Sequence, residues 1–241
     1  MRTALVTGST KGVGLAVARA LLADGAAVMV TARDAAAVEQ TVQALATECG
    51  DASRVAGLAA DVRDRSSVDA LVAAAVSRFG RLDIVVNNAA RGLSRVLEAT
   101  TDEEWRDVFE TNVNGVFYVT RAALPELRRA GGGWVINVAS LAGTNPFPKG
   151  SAYCASKAAL IALTESLMQE VRFDGIRVTV VLPGSIATEF SGPRPADDSW
   201  KLAPEDVAAV ISDLLRYPAR SLPSRIDVRP AQPRKAGSST P

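Results

Sequence analysis

Histidine is absent from the 241 residues. That excludes a Ser-His-Asp triad, a Cys-His pair and any metal held by imidazole. Cysteine is nearly absent too: Cys49 and Cys154 are too few for a disulfide framework, and both read as small residues on helices. No metal site is expected. Charge of one sign is missing, with 27 Lys and Arg against 26 Asp and Glu, so nothing in the balance points to nucleic acid or a membrane surface. No apolar run approaches the roughly 20 residues of a membrane span. A strand pattern begins at Arg2 and leaves no room for a signal peptide, so a cytoplasmic protein is expected. No sequence repeat of 20–50 residues is present.

What is present is 48% hydrophobic residues, enough for a sizeable core. Short apolar runs at 3–7, 26–31, 54–60, 82–86, 134–139, 176–182 and 225–228 read as strands. Helical patterns lie between them at 15–22, 35–47, 66–79, 101–129, 151–173 and 204–215. Thr101 and Glu104 form a capping-box pattern that opens the long fourth helix. Strict alternation of strand and helix predicts an α/β fold, a doubly wound parallel sheet of about seven strands with helices on both faces. Residues 1–229 are expected to form one domain, and 230–241 have the composition of a flexible tail.

Chemistry concentrates between Ser140 and Lys157. Tyr153 and Lys157 are four residues apart in a helical pattern and so share a face. Ser140 follows the strand 134–139, and ligands of parallel α/β sheets bind beyond the carboxyl ends of strands. A hydroxyl, a phenol and a cation brought together there can polarise a carbonyl and deliver a proton to it.

A second cluster follows the first strand. Gly8, Gly12 and Gly14 lie between strand and helix, where glycines let backbone approach a pyrophosphate and a helix N-terminus supplies amide donors. An acidic residue at the end of the second strand would bind an adenosine ribose hydroxyl. The chain instead has Ala32 and Arg33, and a guanidinium suits phosphate. Lys11 adds a second positive charge, while Asp34 is read as the cap of the next helix. Asn87, Asn88, Ala89 and Ala90 make a turn of short residues suited to packing against a ligand. Asn112 is a mid-helix amide among apolar residues. The helix 151–173 is apolar almost all round, which calls for burial on two sides, one of them against a second copy of the chain.

In this order, TGSTKGVG from Thr7, Asp61-Val62, NNAA from Asn87, Asn112, Ser140, YCASK from Tyr153 and PGSIAT from Pro183, the chain resembles the short-chain dehydrogenase/reductase family over about residues 2–229, and its 3-oxoacyl reductase-like members in particular. The resemblance implies a Rossmann-type fold and a catalytic set of Asn112, Ser140, Tyr153 and Lys157. Tyr153 would exchange the proton. Lys157 would bind the nicotinamide ribose and lower the phenol's pKa from its ordinary value near 10. Ser140 would hydrogen-bond the carbonyl, and Asn112 would hold a relay water. The implied dinucleotide site comprises Gly8, Ser9, Thr10, Lys11, Gly12, Val13 and Gly14, with Arg33, Asp61, Val62, Asn88, Ala89 and Ala90. Tyr153, Lys157, Pro183, Gly184, Ile186 and Thr188 complete it. Ala90 stands where a glycine is usual, and the stretch between Thr188 and Pro204 is short, which implies a small lid.

The expected function is therefore an NADP(H)-preferring oxidoreductase that interconverts a small ketone or aldehyde and its alcohol, as a homodimer or homotetramer. Reduction of 3-oxoacyl groups on an acyl carrier protein or a small thioester is the alternative. Arg128, Arg129 and Arg172 could dock an acidic carrier, which Asp174 would repel. A non-catalytic dinucleotide scaffold is the reading from a different class; the intact catalytic set argues against it.

Overall fold

A computed structural model describes residues 1–191 and 197–232. The elements in chain order are β1 Thr3–Thr7, α1 Gly12–Ala23, β2 Ala27–Thr31, α2 Ala35–Cys49, β3 Val55–Gly57, α3 Arg65–Phe79 and β4 Ile84–Asn87. Then follow α4 Asp102–Phe109, α5 Gly115–Arg129, β5 Gly133–Val138, α6 Ser151–Val171, β6 Ile176–Pro183, α7 Pro204–Leu214 and β7 Arg225–Val228. The strands form one seven-stranded sheet in the order β3-β2-β1-β4-β5-β6-β7, and every pairing is parallel. The expected fold class is thus observed.

Side chains alternate between two faces that are both covered by helices, which is why β1 and β2 are buried at every position. Ala4, Val6, Val28 and Val30 face α1, α2 and α7, whereas Leu5 and Met29 face α3, α5 and α6. Asp34 caps α2 by accepting from the Ala37 amide at 3.1 Å, and Thr101 and Glu104 complete a capping box on α4.

Three boundaries differ from the sequence reading. The third strand ends at Gly57 rather than 60, because it is an edge strand paired only with β2. The long helix 101–129 is two α-helices joined by a π-helical turn, Glu110–Asn114. The later helix does have a wet face. Ala155, Ala158 and Ala162 are exposed on its first half, but Glu165, Ser166, Gln169 and Glu170 are exposed on its second. Most of the expected tail and part of the link before α7 lie outside the described residues.

Candidate active site

Strand order reverses between β1 and β4, with β2 and β3 laid down on one side and β5 to β7 on the other, and at such a switch point the loops beyond the strands separate into a crevice. The two rims are tied to each other at its base. The Thr7 hydroxyl accepts from the amides of Asn88 and Ala89, both at 3.0 Å. The Asn88 side chain donates to the carbonyls of Thr7 at 2.9 Å and Gly8 at 3.1 Å. Above this knot lies a cavity of about 1390 Å³ that runs from Arg33 and Asp61 to Ser140, Tyr153 and Phe190.

At one end the walls suit a dinucleotide. Gly8 and Gly12 have φ of +64° and +55°, where a side chain is strained. A Cβ on Gly8 would also come within 2.9 Å of the Ala89 backbone. The N-terminus of α1 carries no side-chain cap and no acidic residue in its first turn, so its amides are free to meet an anion. Thr10, Lys11, Gly12 and Val13 line the cavity, as do Arg33, Asp61, Val62, Asn88, Ala89, Ala90, Pro183, Gly184, Ile186 and Thr188. Lys11 and Arg33 form no ion pair among the described residues. Ala90 causes no backbone strain, since Lys149 is the one non-glycine residue at positive φ among the described residues.

Two residues expected on this wall are not on it. Ser9 is fully buried: its hydroxyl donates to Val6 O at 2.7 Å and accepts from the Thr31 amide at 2.9 Å. It stitches β1 to β2. Gly14 lies behind the loop, where a Cβ would fall on the Gly8 carbonyl oxygen and the Asn88 amide. Its smallness lets α1 sit close to β1.

At the other end Ser140, Tyr153 and Lys157 line the same cavity. Ser140 leaves β5 with extended backbone, and its hydroxyl accepts from the Ala142 amide at 3.1 Å. Burial pushes the Tyr153 phenol above its ordinary pKa, and the hydrogen bond with the Ser140 hydroxyl pulls it partly back. Lys157 is only 2% exposed. Its Nζ donates to Val138 O at 2.9 Å and lies 5.8 Å from the Tyr153 ring centroid. Burial with no carboxylate at hand lowers the amine to about 7. The expected lowering of the phenol by Lys157 is therefore not what this structure displays: desolvation of the phenol dominates, and the desolvated amine is a weakened cation.

Asn112 does not reach the cavity wall. Its Oδ1 accepts from the Arg91 amide at 2.7 Å, and its Nδ2 donates to Arg91 O at 3.0 Å and to Ser156 Oγ at 2.9 Å. Three of the four hydrogen bonds its amide can make are thus taken by protein. The side chain clamps the loop after β4 to α6 and keeps one acceptor position of its amide for the water expected of it. Ser156 completes the clamp by donating to Tyr153 O at 2.8 Å.

Sequence reasoning passed over several wall residues. Arg63 grips Asp61 at 2.7 Å and reaches Asp107 on α4 at 3.1 Å, holding the Asp61 carboxylate below its ordinary pKa. The Asp-x-Arg spacing in a turn is the signal that could have found it. Phe147 and Phe190 also line the cavity. Both fall in stretches of plain loop composition, with no periodicity to single them out.

Known proteins with this pattern are numerous. A family model described as short chain dehydrogenase matches residues 2–199. A Streptomyces virginiae protein named as a ketoacyl reductase of the monensin polyketide synthase is 40% identical, over 93% of this chain and 94% of its own length. The 3-oxoacyl-acyl-carrier-protein reductase of Haemophilus influenzae is 37% identical, over 79% of this chain and 76% of its own. Among solved structures, an alcohol dehydrogenase of Thermococcus sibiricus complexed with 5-hydroxy-NADP superposes with a TM-score of 0.90 at 31% identity, covering 98% of this chain and 99% of that one. A metagenomic short-chain oxidoreductase in complex with NADP gives 0.83, also at 31% identity, with 96% and 98% covered. A match across this much of the chain, on a parallel sheet whose crevice holds the expected groups, settles its kinship: the chain belongs to the short chain dehydrogenase family of oxidoreductases.

Proposed function

We propose that the protein reduces a ketone or aldehyde carbonyl to an alcohol with NADPH as the preferred reductant, and runs the reverse reaction when alcohol and NADP are supplied. The observation that carries this reading is that Ser140, Tyr153 and Lys157 share one cavity with an uncapped helix N-terminus and two cations, Lys11 and Arg33, that form no ion pair among the described residues. Thr10 to Val13 would hold the pyrophosphate, Lys11 and Arg33 the 2′-phosphate, and Lys157 the ribose next to the nicotinamide. The solved relatives complexed with NADP and 5-hydroxy-NADP support a nicotinamide dinucleotide as the cofactor. When bound, the reduced dinucleotide supplies the hydride for the carbonyl carbon. Ser140 donates a hydrogen bond to the carbonyl oxygen as negative charge grows there. Tyr153, kept protonated by its burial, gives its proton to the same oxygen and completes the alcohol. The test is loss of nicotinamide absorbance when NADPH and a ketone panel are added.

A second reading has specific support. Two relatives carry names that assign them ketoacyl or 3-oxoacyl reduction, the second with an acyl carrier. The surface arginines speak for free substrates. Arg128 is paired with Asp174 at 2.7 Å, Arg129 with Glu126, and Arg172 bonds Gln169 at 2.9 Å. With Arg128 and Arg129 neutralised by carboxylates and only Arg172 left with a neutral partner, the patch offers an acidic carrier reduced net attraction. Comparing a carrier-bound 3-oxoacyl group with its small thioester analogue at low and high salt separates the two readings. A large carrier advantage that disappears with salt would favour the second.

A further inference from the structure

Two glycines near Tyr153 have no backbone reason to be glycine. Gly150, before α6, has φ −104°, and Gly92, after β4, is not among the positive-φ residues. What a side chain would meet is an aromatic ring in both cases. A Cβ on Gly92 would come within 2.8 Å of the Phe190 ring, and one on Gly150 within 2.6 Å of the Phe147 ring. Each glycine is therefore a seat for a ring. Phe190 comes from the turn after β6 and Phe147 from the loop after β5, so separate loops bring both to the wall of one cavity. Phe190 stands with its ring centroid 5.8 Å from that of Tyr153.

Both rings line the cavity, yet they are far from covered. Phe147 is 49% and Phe190 45% exposed. Two seated, half-exposed rings on the cavity wall, Phe190 beside the group that donates the proton, offer apolar area that a flat apolar ligand would remove from water. An offset or edge-to-face ring contact adds attraction that a flexible chain does not gain, and a rigid ring loses less conformational freedom on binding. Within the carbonyl reductase reading, on which this rests, we propose that the substrate is a ketone set in or on a planar, unsaturated ring system, with Phe190 and Phe147 as the residues that select it.

The experiment compares 1-tetralone with 2-decanone, two ketones of equal carbon number, in kcat/KM with NADPH. The expected ratio is at least about tenfold in favour of the ring ketone, the scale of one or two aromatic contacts. Phe190→Ala should bring the ratio close to one. Gly92→Ala, which displaces the same ring while leaving it present, should move it in the same direction. A ratio near one in the parent protein, or one untouched by both substitutions, overturns the proposal. Reduction of a 3-oxoacyl thioester with neither ketone turned over overturns it while leaving the reductase reading intact. No turnover of any carbonyl by protein that binds NADPH, judged by nucleotide fluorescence, rejects both.

Discussion

Replacing Lys157 by methionine should make the cofactor-free protein more stable at pH 7 while abolishing its chemistry. The amine is buried against a single carbonyl, and its pKa falls from 10.5 to about 7. At about 1.4 kcal/mol per pKa unit, holding the charged form in the folded state costs about 5 kcal/mol. The sign follows from proton counts. Between pH 7 and 10.5 the unfolded chain binds more protons at this site than the folded one, so stability rises with pH across that window. About 2 kcal/mol should be recovered between pH 7 and 9, roughly 5 °C in Tm for a chain of this size. The raised Tyr153 phenol acts in the opposite sense only near and above pH 10 and leaves the window clear. Methionine has similar length and no charge, but it orphans Val138 O, a loss of about 1–3 kcal/mol. The variant should thus exceed the parent by about 2 kcal/mol at pH 7 and converge with it near pH 9. Differential scanning fluorimetry of both proteins at pH 7, 8 and 9, without nucleotide, reads this directly. Parallel curves of Tm against pH would refute the reasoning.

Three further outcomes can be checked. Tyr153→Phe keeps the ring and removes the proton donor, so kcat should fall at least about 10²-fold with NADPH affinity unchanged within twofold by fluorescence titration; near-normal turnover would dismiss Tyr153 as the acid. Ala32→Asp combined with Arg33→Ala places a carboxylate at the end of β2 and removes a phosphate partner, and should shift the NADPH to NADH preference by about 1–3 kcal/mol in initial-rate kinetics; equal use of both nucleotides by the parent would defeat the assignment. Light scattering at micromolar concentration should give at least a dimer, since Trp105 and Phe117 on α4 and α5 and the small residues Ala155, Ala158 and Ala162 on α6 are all exposed; Phe117→Asp should lower the mass, and a monomeric parent would rule the interface out.

Much of this arrangement could be read before any coordinates. Glycines between β1 and α1, the Asp34 cap and the Thr101 capping box are local features, and local sequence determines them. What escaped the reading depends on neighbours distant in the chain. β3 is curtailed because only β2 pairs with it. Ser9 looks like any loop hydroxyl until Thr31 is placed against it, 22 residues away. The amide of Asn112 is engaged by Arg91 and Ser156, which periodicity cannot foresee. The two phenylalanines of the site announce themselves only through the glycines they rest on.

The turn Glu110–Asn114 has a consequence for how the chain tolerates changes of length. A π-turn carries one residue more than the α-helical turn it replaces. Deleting a single residue there would heal the helix into continuous α geometry, a gain by local propensity. The residues on either side would keep their faces, because the wider turn absorbs its extra residue without rotating the flanking helices about the axis. Val119, Ala123 and Leu127 would stay in the core, and the change would fall on the turn itself, which carries Asn112. Deletions of one residue are usually harmless in surface loops and disruptive in helices. Here a deletion would spare the faces of α4 and α5 and act instead on the contacts of Asn112 with Arg91 and Ser156.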